Sequence, residues 1–131
     1  MSDTLLIIED NEQNFYMMRF LLEKNGFKVI GAGNGREGIE KALRHKPQAI
    51  LLDIQLPEMD GYAVAEELKK HAEMVNVPII AVTSYAMVGD RERILAAGAT
   101  GYIEKPIDPE TFVRDITQYL SQDPVDQERQ A

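Results

Sequence analysis

Three four-residue apolar runs, Leu5-Leu6-Ile7-Ile8, Ala49-Ile50-Leu51-Leu52 and Ile79-Ile80-Ala81-Val82, punctuate the chain, each bounded by polar or turn residues. They are too short for helices, and an unbroken apolar run fits a strand buried on both faces, as parallel sheets require. Two weaker runs, Lys28-Val29-Ile30-Gly31-Ala32 and Gly101-Tyr102-Ile103-Glu104, mix apolar with polar or glycine positions and suit sheet edges. Between the runs, apolar residues recur at helical spacing: Phe15, Met18 and Leu22; Ile39, Ala42 and Leu43; Ala65, Leu68 and Ala72; Val113, Ile116 and Leu120. Asn11 and Asp60 stand where N-caps are needed, Asp108 with Pro109 reads as an N-cap and N1 pair, and Gly26 and Gly98 follow helical stretches as C′ glycines do. Gly89 and Asp90 interrupt the segment from Ser84 to Ala97, which predicts a mobile loop followed by a helix from about Asp90.

Strict alternation of strand and helix, five times over, predicts an α/β fold with one parallel sheet, helices on both faces and right-handed crossovers. The two weak strands are the second and the fifth. Of the doubly wound orders, 2-1-3-4-5 places those two at the edges, so the pattern selects a flavodoxin-like (βα)5 sheet. Ligands in such sheets bind beyond the C-terminal strand ends, at the crevice where the order reverses, here between strands one and three. The residues that follow the strands there are Glu9 and Asp10, Asp53, Thr83 with Ser84, and Lys105. Each alone has an ordinary explanation as a cap, a solvated acid or a strand end. Three carboxylates gathered on one rim do not, because two unit charges 4 Å apart interact by roughly 4 kcal/mol at an effective dielectric near 20.

A divalent cation resolves that repulsion. Oxygen donors with no cysteine and no histidine pair favour a hard ion, and few protein ligands favour magnesium over calcium. An aspartate beside magnesium, with an ammonium and a hydroxyl nearby, can accept a phosphoryl group. Asp53 is the best nucleophile, because it ends the central strand between Leu51, Leu52 and Ile54. Asp10 would bind the metal directly, and Glu9 directly or through water. Gly61 and Pro57 shape the loop after the third strand. His45 and His71 fall late in predicted helices as solvated cations, and Met17, Met18 and Met87 are core or gap fillers, with Met87 placed where a face can rearrange.

Composition narrows the output of such a site. The chain has 131 residues, with 22 acidic against 14 basic ones for a net charge of −8, and no cysteine. One domain uses that length, and the acid excess without a basic block argues against binding nucleic acid or anionic membrane. The start MSDTLLIIEDNEQ lacks a basic n-region, and no apolar stretch approaches the roughly 20 residues that span a bilayer. The expectation is a soluble cytoplasmic chain with a frayed polar tail, SQDPVDQERQA.

The motifs LIIEDN, LLDIQLPEMDG, AVTSYA and YIEKP, in this order at four strand ends, resemble the receiver domain of two-component response regulators, over roughly residues 4–120. The resemblance implies a receiver over residues 1–121 and a flexible tail over 122–131. It implies Asp53 as phosphoacceptor, Glu9 and Asp10 as the acidic pair, Thr83 as switch hydroxyl, Lys105 as the lysine and Tyr102 as the switch aromatic. The backbone carbonyl of Gln55 would be a further magnesium ligand, and Lys105-Pro106 the dipeptide that is usually cis in receivers. The Glu-Asp pair in place of Asp-Asp, with the run EDNEQN, is similar to phosphorelay receivers, hybrid kinases and stand-alone cell-cycle receivers. Ser84 stands where alanine is commonest.

The implied function is a stand-alone receiver, not an enzyme with a substrate of its own, that assists its own phosphorylation and dephosphorylation. The implied donor is a histidine kinase or a histidine phosphotransferase. The signal would leave through the face of helix four, strand five and helix five toward an effector protein, and a phosphorylation-dependent dimer is one form it can take. Gln55 and Tyr85, each two residues beyond a site residue, are expected to overhang the phosphoryl group and slow its hydrolysis. A phosphohydrolase of the haloacid dehalogenase type needs an aspartate where Gln55 stands. A flavodoxin-like flavin carrier needs a phosphate-cradling loop where EDNEQN stands. A fragment of a larger regulator or hybrid kinase is disfavoured by the start and the polar tail.

Overall fold

The computed structural model describes residues 3–84 and 88–120. Five strands, β1 (Thr4–Ile8), β2 (Lys28–Ala32), β3 (Ala49–Asp53), β4 (Ile79–Thr83) and β5 (Gly101–Glu104), form one sheet in the order β2-β1-β3-β4-β5. Every pairing is parallel. The connections run through α1 (Glu12–Lys24), α2 (Gly35–His45), α3 (Gly61–Lys69), a 3-10 turn (Ala72–Met74) and α4 (Val88–Ala96), and α5 (Phe112–Leu120) follows β5. β3 and β4 are buried throughout, whereas β2 is only partly covered and β5 alternates, as edge positions require.

Side-chain alternation along the strands divides the interior into two layers. Leu5, Ile7, Leu51, Ile80 and Val82 pack with Met18, Leu22, Phe112 and Ile116 of α1 and α5. Leu6, Ile8, Ile50, Leu52 and Ile79 pack with Ala42, Val64, Ala65 and Leu68 of α2 and α3. A smaller cluster of Ile54, Ala81 and Ile94 seats α4.

The local punctuation behaves largely as its chemistry dictates. Asn11 Oδ1 accepts the Asn14 N–H at 2.9 Å, Asp60 Oδ1 accepts that of Ala63 at 2.9 Å, and Asn34, which the hydrophobic pattern does not single out, caps α2 in the same way through Glu37. Gly26 and Gly98 carry φ of 92° and 113°, the left-handed values that a C′ glycine supplies. Three expectations shift. Ala72 is exposed on the 3-10 turn, because α3 ends at Lys69, and Met74 fills the core in its place. Asp108 heads a turn, accepting the Glu110 N–H at 3.0 Å, so α5 begins three residues beyond Pro109 at Phe112. α4 starts at Val88, ahead of Asp90. The expected mobile loop reaches into residues 85–87, and these, with Tyr85, Met87 and the expected 121/122 boundary and tail, lie outside the described residues. Among the described residues, no helix is long and apolar enough to cross a membrane.

Gly61 ties the loop after β3 to the sheet. Its N–H donates to the Ile54 carbonyl at 2.9 Å, and a Cβ there would lie 2.5 Å from Ile54 Cα and 2.7 Å from the Asp53 carbonyl oxygen. Backbone cannot move aside as a flexible side-chain tip does, so Gly61→Ala should destabilise the fold by about 2–3 kcal/mol in urea unfolding. Gly33→Ala, whose Cβ meets nothing within 4 Å, should be close to neutral. Equal costs at both positions would show that backbone proximity at Gly61 is not what matters.

Candidate functional site

The sheet register assembles the site before any side chain is considered. Ile8 pairs with Leu52, so the next residues, Glu9 and Asp53, end side by side at the C-terminal edges of β1 and β3. Asp53 pairs with Val82 and Thr83 with Glu104, which sets Thr83 one step beyond Asp53 and Lys105 just past the end of β5. Backbone bonds extend each strand into the rim: the Glu9 N–H donates to the Ala32 carbonyl at 3.0 Å, that of Ile54 to Val82 at 3.2 Å and that of Lys105 to Thr83 at 2.8 Å.

Burial then separates the acids. Glu9 and Asp53 are 4 % and 3 % exposed, whereas Asp10 is open to solvent. One carboxylate oxygen from each of the three lies within 4.8 Å of the other two. The Lys105 Nζ stands 3.3 Å from both Glu9 Oε1 and Asp53 Oδ1. The Lys105–Pro106 peptide is cis.

The hydrogen bonds are uneven. Asp53 Oδ1 accepts the Gln55 N–H at 3.0 Å, and Glu9 Oε2 accepts the Asn11 N–H at 3.2 Å. Glu9 Oε1 is a buried acceptor without a hydrogen bond, since the Lys105 ammonium is near enough for ion pairing but not aligned to donate. Burial, then the hydrogen bond and the negative charge of Asp53, push the Glu9 carboxyl up to about 7, against the smaller lowering effects of the Asn11 N–H and Lys105.

The donor set fits a hard divalent cation. All three side chains offer oxygen, opposite ligands around a magnesium-sized ion sit about 4.2 Å apart, and Glu9 Oε1 has no hydrogen bond to give up. The structure thus gathers Glu9, Asp10, Asp53 and Lys105, and the register sets Thr83, wholly buried, beside them. Gln55 is exposed and meets Asp53 through its backbone N–H. Tyr102 is half-buried on β5, beyond Ala81, with its carbonyl accepting the Tyr119 hydroxyl at 3.5 Å. His45 is exposed at the end of α2, and His71 lies 3.9 Å from Glu73, both outside this site. The backbone contact of Asn11 and the approach of Arg91 to Tyr102 were not foreseen. The first follows from an N-cap placed directly after an acidic pair, and the second has no local sequence signal.

Comparison with known proteins agrees with this geometry. The family model for the response regulator receiver domain matches residues 5–117. The polar-differentiation response regulator DivK of Brucella anthropi is 44 % identical over 120 residues, spanning 92 % of this chain and 98 % of its own. The chemotaxis response regulator CheY4 of Vibrio cholerae superposes with a TM-score of 0.87 at 25 % identity, covering 91 % of this chain and 99 % of its own. The receiver domain of a Pseudomonas aeruginosa sensor histidine kinase superposes with a TM-score of 0.85 at 32 % identity over 93 % and 100 % of the two chains, and its structure has a magnesium ion coordinated in the active-site cleft.

The strain at Glu9 is measurable without any phosphoryl donor. A carboxyl whose folded pKa is raised contributes stability below its ordinary value near 4.5, and that contribution is lost as pH rises through about 7. In chelator at pH 8, Glu9→Gln should therefore raise unfolding stability by roughly 1–2 kcal/mol, with the gain fading toward pH 4.5. A variant that melts below the parent at pH 8 would mean that the charge on Glu9 is stabilised rather than strained.

Proposed function

The chain belongs to the response regulator receiver family, and from that premise we propose that it accepts a phosphoryl group on Asp53 from a histidine kinase or a histidine phosphotransferase and signals in trans as a stand-alone cytoplasmic regulator. The observation that carries this reading is the buried Asp53 carboxylate at 3.3 Å from the Lys105 ammonium, which also reaches Glu9 Oε1 at 3.3 Å, in a cluster with Asp10. Glu9, Asp10, Asp53 and the Gln55 backbone carbonyl would hold magnesium. When bound, magnesium supplies positive charge against the oxygens of the incoming group.

An Asp53 oxygen attacks phosphorus in line with the leaving imidazole nitrogen. The O–P bond forms, the N–P bond breaks, and the donor histidine keeps the electron pair and takes a proton. Lys105 then pairs with a phosphoryl oxygen, and the Thr83 hydroxyl donates to another. Burial of Asp53 on a rigid strand holds the nucleophile in place, so the domain promotes its own phosphorylation without a substrate of its own. The register places Thr83 and Tyr102 on one face of the sheet, through Glu104 and Ala81. Movement of Thr83 toward the phosphoryl group opens the space into which Tyr102 turns. The face of α4, β5 and α5 thereby passes to a second state for an effector or a second copy to read. Gln55 restricts the attacking water on this reading. A haloacid dehalogenase-type phosphohydrolase and a flavin carrier give way to the family assignment.

The donor needs a surface on which to rest. α1 begins at the acidic rim and leaves Tyr16 and Phe20 exposed one turn apart, a patch suited to the apolar side of a helical partner.

Asp53→Asn should abolish phosphoryl labelling in magnesium, while Thr83→Ala should be labelled yet bind its effector no better with a phosphate mimic than without. Full labelling of the asparagine variant would dismiss Asp53 as the acceptor. Replacing Tyr16 and Phe20 together with alanine should slow transfer from a phosphorylated protein donor about tenfold and leave labelling by acetyl phosphate unchanged. Equal slowing with both donors would place the defect in the site rather than in docking.

A further inference from the structure

Among its described residues, α4 has a thin apolar seat. Ile94 is the one buried side chain among its described residues, with Ala97 just past its end, whereas α3 buries Val64, Ala65 and Leu68. Two arginines brace it sideways. The Arg93 guanidinium carbon lies 3.9 Å from the ring centroid of Tyr62 on α3, and that of Arg91 lies 5.3 Å from the ring centroid of Tyr102 on β5. Arg91 Nη2 also approaches Glu104 Oε1 at 3.9 Å.

The two braces differ in what they touch. Tyr102 and Glu104 are two residues apart and share a face of β5, where Tyr102 pairs with Ala81 and Glu104 with Thr83. One guanidinium therefore spans the two β5 side chains that border Thr83 and Ala81 on the α4 side. The Tyr102 ring otherwise rests at the margin of the Ile54, Ala81 and Ile94 cluster. An exposed guanidinium over an aromatic ring is a weak contact, strong enough to bias two ring positions and weak enough to yield to a ligand.

We propose that Arg91 is a positioning residue that latches Tyr102 at the α4–β5 seam and so holds the unphosphorylated chain in its resting state. The proposal rests on the reading of Tyr102 as the switch aromatic. Breaking the latch favours the inward position of Tyr102, and by linkage it favours phosphorylation of Asp53. Arg93 braces the same helix through the ring of Tyr62 instead, and so it provides the control.

The test uses the full chain with fluorotyrosine incorporated, the Tyr102 resonance identified through Tyr102→Phe, and magnesium with acetyl phosphate as the phosphoryl donor. In Arg91→Ala the Tyr102 resonance of the unphosphorylated chain should move part of the way to its phosphorylated position, and the phosphorylation rate should rise about 3–5-fold, in keeping with a weak exposed contact. Arg91→Lys should restore part of both effects, and Arg93→Ala should leave both near the parent. An unmoved Tyr102 resonance in Arg91→Ala, in a chain whose Tyr102 does respond to phosphorylation, overturns the latch. The same response in Arg93→Ala overturns it as well, because general loosening of α4 would then suffice. A parent chain in which Tyr102 ignores phosphorylation removes the switch reading itself.

Discussion

The register of β1 against β3 is the constraint from which the site follows. Pairing Ile8 with Leu52 leaves Glu9 and Asp53 no choice but to end as neighbours, both almost wholly removed from water. One ammonium, Lys105, sits at ion-pair distance from each. A single positive charge does not balance two buried carboxylates and the open one of Asp10, and the Glu9 carboxyl, pushed up to about 7, registers the deficit. The repulsion, roughly 4 kcal/mol for a pair 4 Å apart at an effective dielectric near 20, is carried by strands with buried apolar residues from Leu5 to Ile8 and from Ala49 to Leu52. The site is therefore short of positive charge by construction, which is the property that the proposed cation and transfer chemistry would draw on.

A strained rim needs a stiff frame, and several contacts far from the acids provide it. Gly61 lets the loop after β3 lie against Ile54, which fixes the segment that includes Gln55. At the opposite end of the sheet, the Lys69 ammonium donates to the carbonyls of Val77 at 2.9 Å, Val75 at 3.2 Å and Met74 at 3.3 Å, while its stem packs where a Cβ on Gly98 would fall. One side chain thus ties the end of α3, the entry to β4 and the turn after α4. Burial lowers the pKa of Lys69, and the three carbonyl dipoles account for an ammonium being tolerated there.

Much of this was legible in the residues. Runs such as Leu5 to Ile8 and Ala49 to Leu52 have no solvent-facing period, so they had to be inner strands, and the mixed runs at Lys28 and Gly101 had to be edges. With the edges known, the strand order follows, and with the order the rim of Glu9, Asp10, Asp53, Thr83 and Lys105 follows too. What escaped depends on interactions that leave no periodic trace. Ala72 fits a helical stripe by spacing, yet α3 ends at Lys69 where the lysine turns to three carbonyls, and Met74 arrives through a 3-10 turn. Phe112, 1 % exposed, starts α5 only because Asp108 first builds a turn. The stacking of Arg91 on Tyr102 joins residues eleven apart through the packing of a helix on an edge strand, and nothing in the local pattern announces it.

On the proposed function, the contrast between a rigid rim and a lightly seated α4 would let a small chemical event be read at a distance. A phosphoryl group shifts an equilibrium only by the difference between its contacts in the two states. An element anchored by several buried side chains would ask more than a few hydrogen bonds can supply, since each large buried side chain contributes about 1.5–3 kcal/mol. Among its described residues α4 buries Ile94 and adds two exposed arginine stacks, so on the proposed function the free energy needed to shift it would fall within reach of one hydroxyl and one ammonium regrouping around a phosphoryl group. The same argument fixes where the yielding part must lie. It belongs on the β5 side, where the sheet edge is open and Tyr102 is half-buried, and not on the β1 and β3 side, where any slackness would separate the carboxylates that make the site work.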